Sequence, residues 1–154
     1  MVAALAYAAS PLTSEVSTTL GVSAGAAYEI FSDAIELPRW LPIVQTARTL
    51  IRRADGRPER VSFTRKLERG SLGYTLEYSY EPSMLAVAWS TPKDSNVTLT
   101  GEARFTPLSM RACMMRYKLE IELPIVDDLI AGELDCHPAS QVVSEFREHL
   151  RRLC

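Results

Sequence analysis

From Ile43 to Leu123 apolar and polar residues alternate with a period of two, broken at short intervals by turn residues. Such alternation marks strands with one face buried and one face wet. Leu72, Tyr74, Leu76, Tyr78 and Tyr80 share one side of a strand whose other side carries Thr75, Glu77, Ser79 and Glu81. Leu85, Val87 and Trp89 form the next set, then Val97, Leu99, Gly101, Ala103 and Phe105, then Cys113, Met115, Tyr117, Leu119, Ile121 and Leu123. Asp55-Gly56 and Arg69-Gly70 signal turns, and Pro82 and Pro107 read as strand stops because proline cannot donate to a ladder. With strands expected over Val44 to Arg53 and Arg60 to Glu68, six consecutive strands make an antiparallel meander.

The period changes outside this block. Ser14 to Val22 reads as a further strand, and Ser23 as the N-cap of a short helix that puts Tyr28, Phe31 and Ile35 on one face. Pro38 and Pro42 limit any helix between them to about one turn. After Pro124, Asp127 and Asp128 suit a helix N-terminus, Pro138 is expected to break or kink the segment near His137, and Val142 or Val143, Phe146, Leu150 and Leu153 recur at helical spacing. The order is therefore strand, two short helices, six strands, long helix: an α+β layer arrangement. The two helical stripes are narrow, so a hollow between helix and sheet is expected. A pocket of about 300 Å³ left dry would cost up to roughly 7 kcal/mol, which argues that such a hollow is kept for a ligand.

Composition narrows the function. Of 154 residues 47% are apolar and 23% charged, with a net charge of −2. That is an ordinary globular balance with no basic block, so neither nucleic acid nor an integral membrane segment is expected. Three cysteines, Cys113, Cys136 and Cys154, do not make a disulfide framework, and a cytoplasmic location is expected. The Ala-rich start lacks a charged leader region; residues 1–12 read as a loose tail and 13–154 as one domain. Cys136-His137 has no ligand cluster around it, and no metal or cofactor is expected.

The chain resembles the START and Bet v 1-like (SRPBCC) superfamily, within it the bacterial polyketide cyclase/dehydrase and coenzyme-Q-binding-type proteins. The features that carry this run from Val22-Ser23-Ala24 through Phe31-Ser32-Asp33, then Pro38-Arg39-Trp40-Leu41-Pro42, Gly101 to Pro107 and Ile121-Glu122-Leu123-Pro124. The resemblance implies a helix-grip fold: a seven-stranded curved antiparallel sheet around a long C-terminal helix, with two short helices after the first strand. It also implies a hydrophobic cavity, but no single activity.

Three functions remain open: binding of a small hydrophobic ligand (lipid, isoprenoid or aromatic polyketide-like), cyclisation and dehydration of a polyketide, and a protein-interaction or stress-type module. The candidate ligand-binding residues are Trp40, Phe63, Arg65, Tyr74, Tyr78, Trp89, Met115, Tyr117 and Phe146. Arg65 shares its strand face with apolar Val61, Phe63 and Leu67 and, if buried, needs a carboxylate or a ligand oxygen to offset desolvation. Glu77 and Glu102 are candidate partners, although both sit in the polar phase of their strands. An enzyme would use Arg65 to polarise a carbonyl, a role the resemblance suggests, and Tyr78 or Tyr117 to relay a proton. The chain is expected to act as a monomer or homodimer.

Overall fold

The computed structural model describes residues 12–67, 69–93, 95, 98–122 and 138–153. Strand β1 (Leu12–Leu20) leads through the Ser23 cap into helix α1 (Ala24–Phe31). Ser23 Oγ accepts from the Ala26 N–H at 3.2 Å, satisfying one of the free donors of the first turn. A 3-10 turn (Ala34–Glu36) and the one-turn helix α2 (Leu37–Trp40) follow, with Pro38 in the first turn, where its missing N–H costs nothing. Then come β2 (Val44–Arg52), β3 (Pro58–Lys66), β4 (Ser71–Glu81), β5 (Ala86–Ser90), β6 (Thr98–Ser109), β7 (Ala112–Glu122) and the closing helix α3 (Pro138–Leu153).

The seven strands form one sheet in the order β1-β7-β6-β5-β4-β3-β2, antiparallel throughout. Each strand of the meander pairs with its neighbour in sequence, and β1 closes the far edge against β7. The chain thus has the helix-grip fold of START and Bet v 1-like proteins. Gly56 supplies the positive φ (89°) of the β2–β3 turn, and its N–H bonds to Arg53 O at 3.0 Å. The apolar face predicted from alternation is the buried one: Val61, Phe63, Leu76, Val87, Ala103, Phe105, Met115 and Ile121 all lie in the core.

Three expectations need correction. Pro107 does not end its strand: β6 continues to Ser109, with Pro107 opposite Cys113. Phe105, two residues earlier, donates its N–H towards Leu85 O, so Pro107 faces the same side. β5 begins only at Ala86, so no strand carbonyl lies there that needs an N–H donor at position 107, and the proline costs the ladder nothing. Leu85 is not a regular strand residue; it takes a left-handed φ of 49° at the β4–β5 turn. Leu153 is 57% exposed and does not extend the buried stripe of Ala139, Val143, Phe146 and Leu150. Leu123, Pro124, Asp127, Asp128, Cys136, His137 and Cys154 lie outside the described residues.

Candidate functional site

Where α3 and α2 cross the concave face of the sheet, the strands and helices form a partly open cavity of about 100 Å³. β3 contributes Phe63 and Arg65, β4 contributes Tyr74, Leu76 and Tyr78, β5 contributes Trp89, and β7 contributes Tyr117 and Leu119. Phe31 at the end of α1, Leu37 on α2, and Gln141 and Val142 on α3 close the other side. The space is smaller than the roughly 300 Å³ at which ligand pockets typically begin. Aromatic rings fold into it: Phe31 lies 5.8 Å from Trp89 and 6.1 Å from Tyr117, and Trp89 lies 5.5 Å from Tyr117.

The pairing register explains the arrangement. Tyr78 sits opposite Trp89, Trp89 opposite Gly101, and Gly101 opposite Leu119. Because Gly101 has no side chain, the Trp89 indole lies flat across β6 and reaches Tyr117 on the strand beyond. A Cβ added at Gly101 would overlap Cε2, Nε1 and Cζ2 of that indole. Phe63 stacks on Tyr74 at 5.5 Å, a cross-strand pair fixed by the β3–β4 register.

The described lining residues with polar side-chain groups are Arg65, Tyr74, Tyr78, Trp89, Tyr117 and Gln141. Burial pushes the Tyr74 phenol up to about 12, against a smaller downward pull from the Arg65 charge. Burial raises Tyr78 and Tyr117 well above the ordinary phenol value, with neighbouring phenols adding to the effect. All three hydroxyls therefore stay protonated at neutral pH, suited to donating a hydrogen bond to a ligand oxygen rather than to acting as bases. Among the described residues no group of three His, Cys, Asp or Glu is placed to hold a metal.

The structure brings Phe63, Arg65, Tyr74, Tyr78, Trp89 and Tyr117 to one cavity. It places Trp40, Met115 and Phe146 elsewhere: they are 3%, 0% and 0% exposed and lie outside its lining. Trp40 packs between Phe146 at 5.2 Å and His149 at 6.0 Å, under α3. Glu77 and Glu102 pair on the outer face with Arg60 at 3.3 Å and Arg104 at 3.8 Å, so neither serves Arg65. The lining residues that strand alternation did not single out include Phe31, Leu37 and Gln141 on helices and Leu41 and Ile43 in the turn before β2. Of these Phe31 carried a signal, as a member of the apolar face of its helix.

No family model matches the chain, and no curated protein matches it in sequence. Solved structures do. The fold is that of a START superfamily protein from Mycobacterium smegmatis, with a TM-score of 0.76 and 19% identity over 92% of this chain and 99% of that one. The Zhui aromatase/cyclase from a Streptomyces species superposes with a TM-score of 0.74 and 12% identity over 94% of this chain and 97% of that one. Norcoclaurine synthase from Thalictrum flavum, in complex with dopamine and hydroxybenzaldehyde, gives 0.66 and 12% over 95% and 90%. At these identities the likeness is one of fold.

Proposed function

We propose that the chain binds a small hydrophobic ligand in the cavity between the sheet and α3, with a ring against Trp89 and an oxygen held by Arg65 and the phenols. The observation that carries this reading is an otherwise apolar, aromatic cavity lined by one arginine and by three tyrosines whose phenols stay protonated. A ligand pocket of that make-up fixes orientation with few polar groups and gains most of its affinity from apolar contact. The cavity volume of about 100 Å³ favours an aromatic ring over a long isoprenoid chain. The norcoclaurine synthase fold neighbour, bound to dopamine and hydroxybenzaldehyde, supports the same ligand chemistry. Native mass spectrometry of the purified protein, followed by organic extraction, should reveal a co-purifying aromatic or other apolar molecule. A chain that stays ligand-free, and binds no member of a panel of aromatic oxygen compounds, contradicts the reading.

A second reading, polyketide cyclisation and dehydration, is supported by the end-to-end likeness to an aromatase/cyclase. Here Arg65 and the Tyr78 or Tyr117 phenol donate hydrogen bonds to the carbonyl oxygen on which negative charge develops. Arg65→Ala would then keep the fold, judged by circular dichroism, and lose turnover of an aromatic polyketide by on the order of a hundredfold or more. Unchanged turnover in that variant rules this reading out.

A further inference from the structure

We propose that Trp89, seated flat on Gly101, sets the specificity of the chamber and limits the buried part of its ligand to a single six-membered ring. The inference rests on the reading of the cavity as a ligand site and adds the size class of what enters it.

The volume gives the first argument. A cavity of about 100 Å³ is of the same order as the roughly 150 Å³ apolar cavity that takes up benzene. A fused two-ring molecule needs considerably more, and burying its second ring beside the first takes that space from one of the walls. The second argument is that Trp89 cannot yield it. The indole already rests on the β6 backbone, because only a glycine lies beneath it. Tyr78 at 6.2 Å and Tyr117 at 5.5 Å flank it, and Phe31 at 5.8 Å faces it from α1. The ring can neither sink nor tilt without displacing another ring. Trp89 belongs to a strand paired on both sides, so the β4 and β6 ladders hold its backbone and the ring cannot be carried away by a shift of the chain.

The third argument comes from what removal would do. Without the indole, the space above Gly101 joins the cavity and lowers its floor to the β6 backbone. Adding a methyl group at Gly101 does the opposite: it lifts the indole off its seat and into the cavity. The two positions therefore predict opposite changes in ligand size, which a purely structural role for the pair would not.

The test uses p-cresol and 2-naphthol, a one-ring and a two-ring phenol, titrated calorimetrically into the whole chain. Circular dichroism and thermal melting serve as fold controls. The native chain should bind p-cresol at least about tenfold more tightly than 2-naphthol. Trp89→Leu should reverse that order. Gly101→Ala should lose p-cresol binding, and the Trp89→Leu/Gly101→Ala double variant, which has no indole to clash, should recover it. If Trp89→Leu does not fold, Trp89→Phe should still narrow the preference while Gly101→Ala abolishes binding. A native chain that takes 2-naphthol as readily as p-cresol, or a folded Trp89→Leu or Trp89→Phe chain with an unchanged preference, overturns the inference and leaves the ligand site standing. A native chain that binds neither probe saturably overturns this inference, and the ligand site falls with it when the whole panel of aromatic oxygen compounds also fails to bind.

Discussion

At the scale of single residues, Phe31 joins core and chamber. Its ring lies 5.2 Å from Phe146 and 5.8 Å from Phe105 on the core side, and 5.8 Å from Trp89 on the cavity side. Phe31→Ala should extend the cavity to the rings of Phe105 and Phe146 and cost about 3 kcal/mol, measured by urea unfolding. A loss below about 1 kcal/mol would mean that neighbouring rings collapse into the gap and that Phe31 does not support the chamber wall. Residues of this kind show why the site was only partly legible. Alternation identifies Phe63, Tyr74, Tyr78, Trp89, Met115 and Tyr117 as inward-facing. It cannot tell a side chain bordering a void from one sealed in packing. Met115, fully buried, and Tyr117, bordering the cavity, stand two residues apart on the same face of β7 and look alike in the pattern.

At the scale of elements, α3 is held to the rest of the chain partly by the stack of His149 on Trp40. Burial holds the His149 imidazole below its ordinary value. The nearby Arg152 charge adds to the effect, and Glu36 opposes it weakly. The unfolded chain therefore takes up the proton first as pH falls. This contribution is complete above the unfolded value, near about pH 6.5, and is lost as pH drops through the folded value. His149→Phe keeps a ring against Trp40 and removes the titration. From about pH 7 to pH 5 the melting temperature of the native chain should fall more steeply than that of the variant. Parallel slopes would show that this stack does not couple α3 to pH. The strands were legible because each buries one face, which makes a slip of one residue costly. The misread end of β6 shows the limit: whether proline stops a strand depends on what lies beside it, and that is set by the length of β5 rather than by Pro107.

At the scale of the whole molecule, a curved sheet with α3 across its concave side leaves room for a chamber, and the aromatic lining reduces that room to about 100 Å³. Among the described residues no helix is long and apolar enough to cross a membrane. The order of strands and helices was readable from the periods of the sequence, because a meander of short connections admits few topologies. The chamber's size was not, since it depends on how Phe31 and Trp89 lean, and the lean of Trp89 depends on one glycine a strand away. The two tryptophans allow a direct test of the account. Trp89 borders the chamber and Trp40 lies outside it, so their indole N–H resonances report on different places. In a heteronuclear NMR titration with p-cresol, the Trp89 indole signal should shift saturably while that of Trp40 stays nearly still. A titration that moves Trp40 alone, or neither signal, would contradict the claim that this chamber is where the protein holds its ligand.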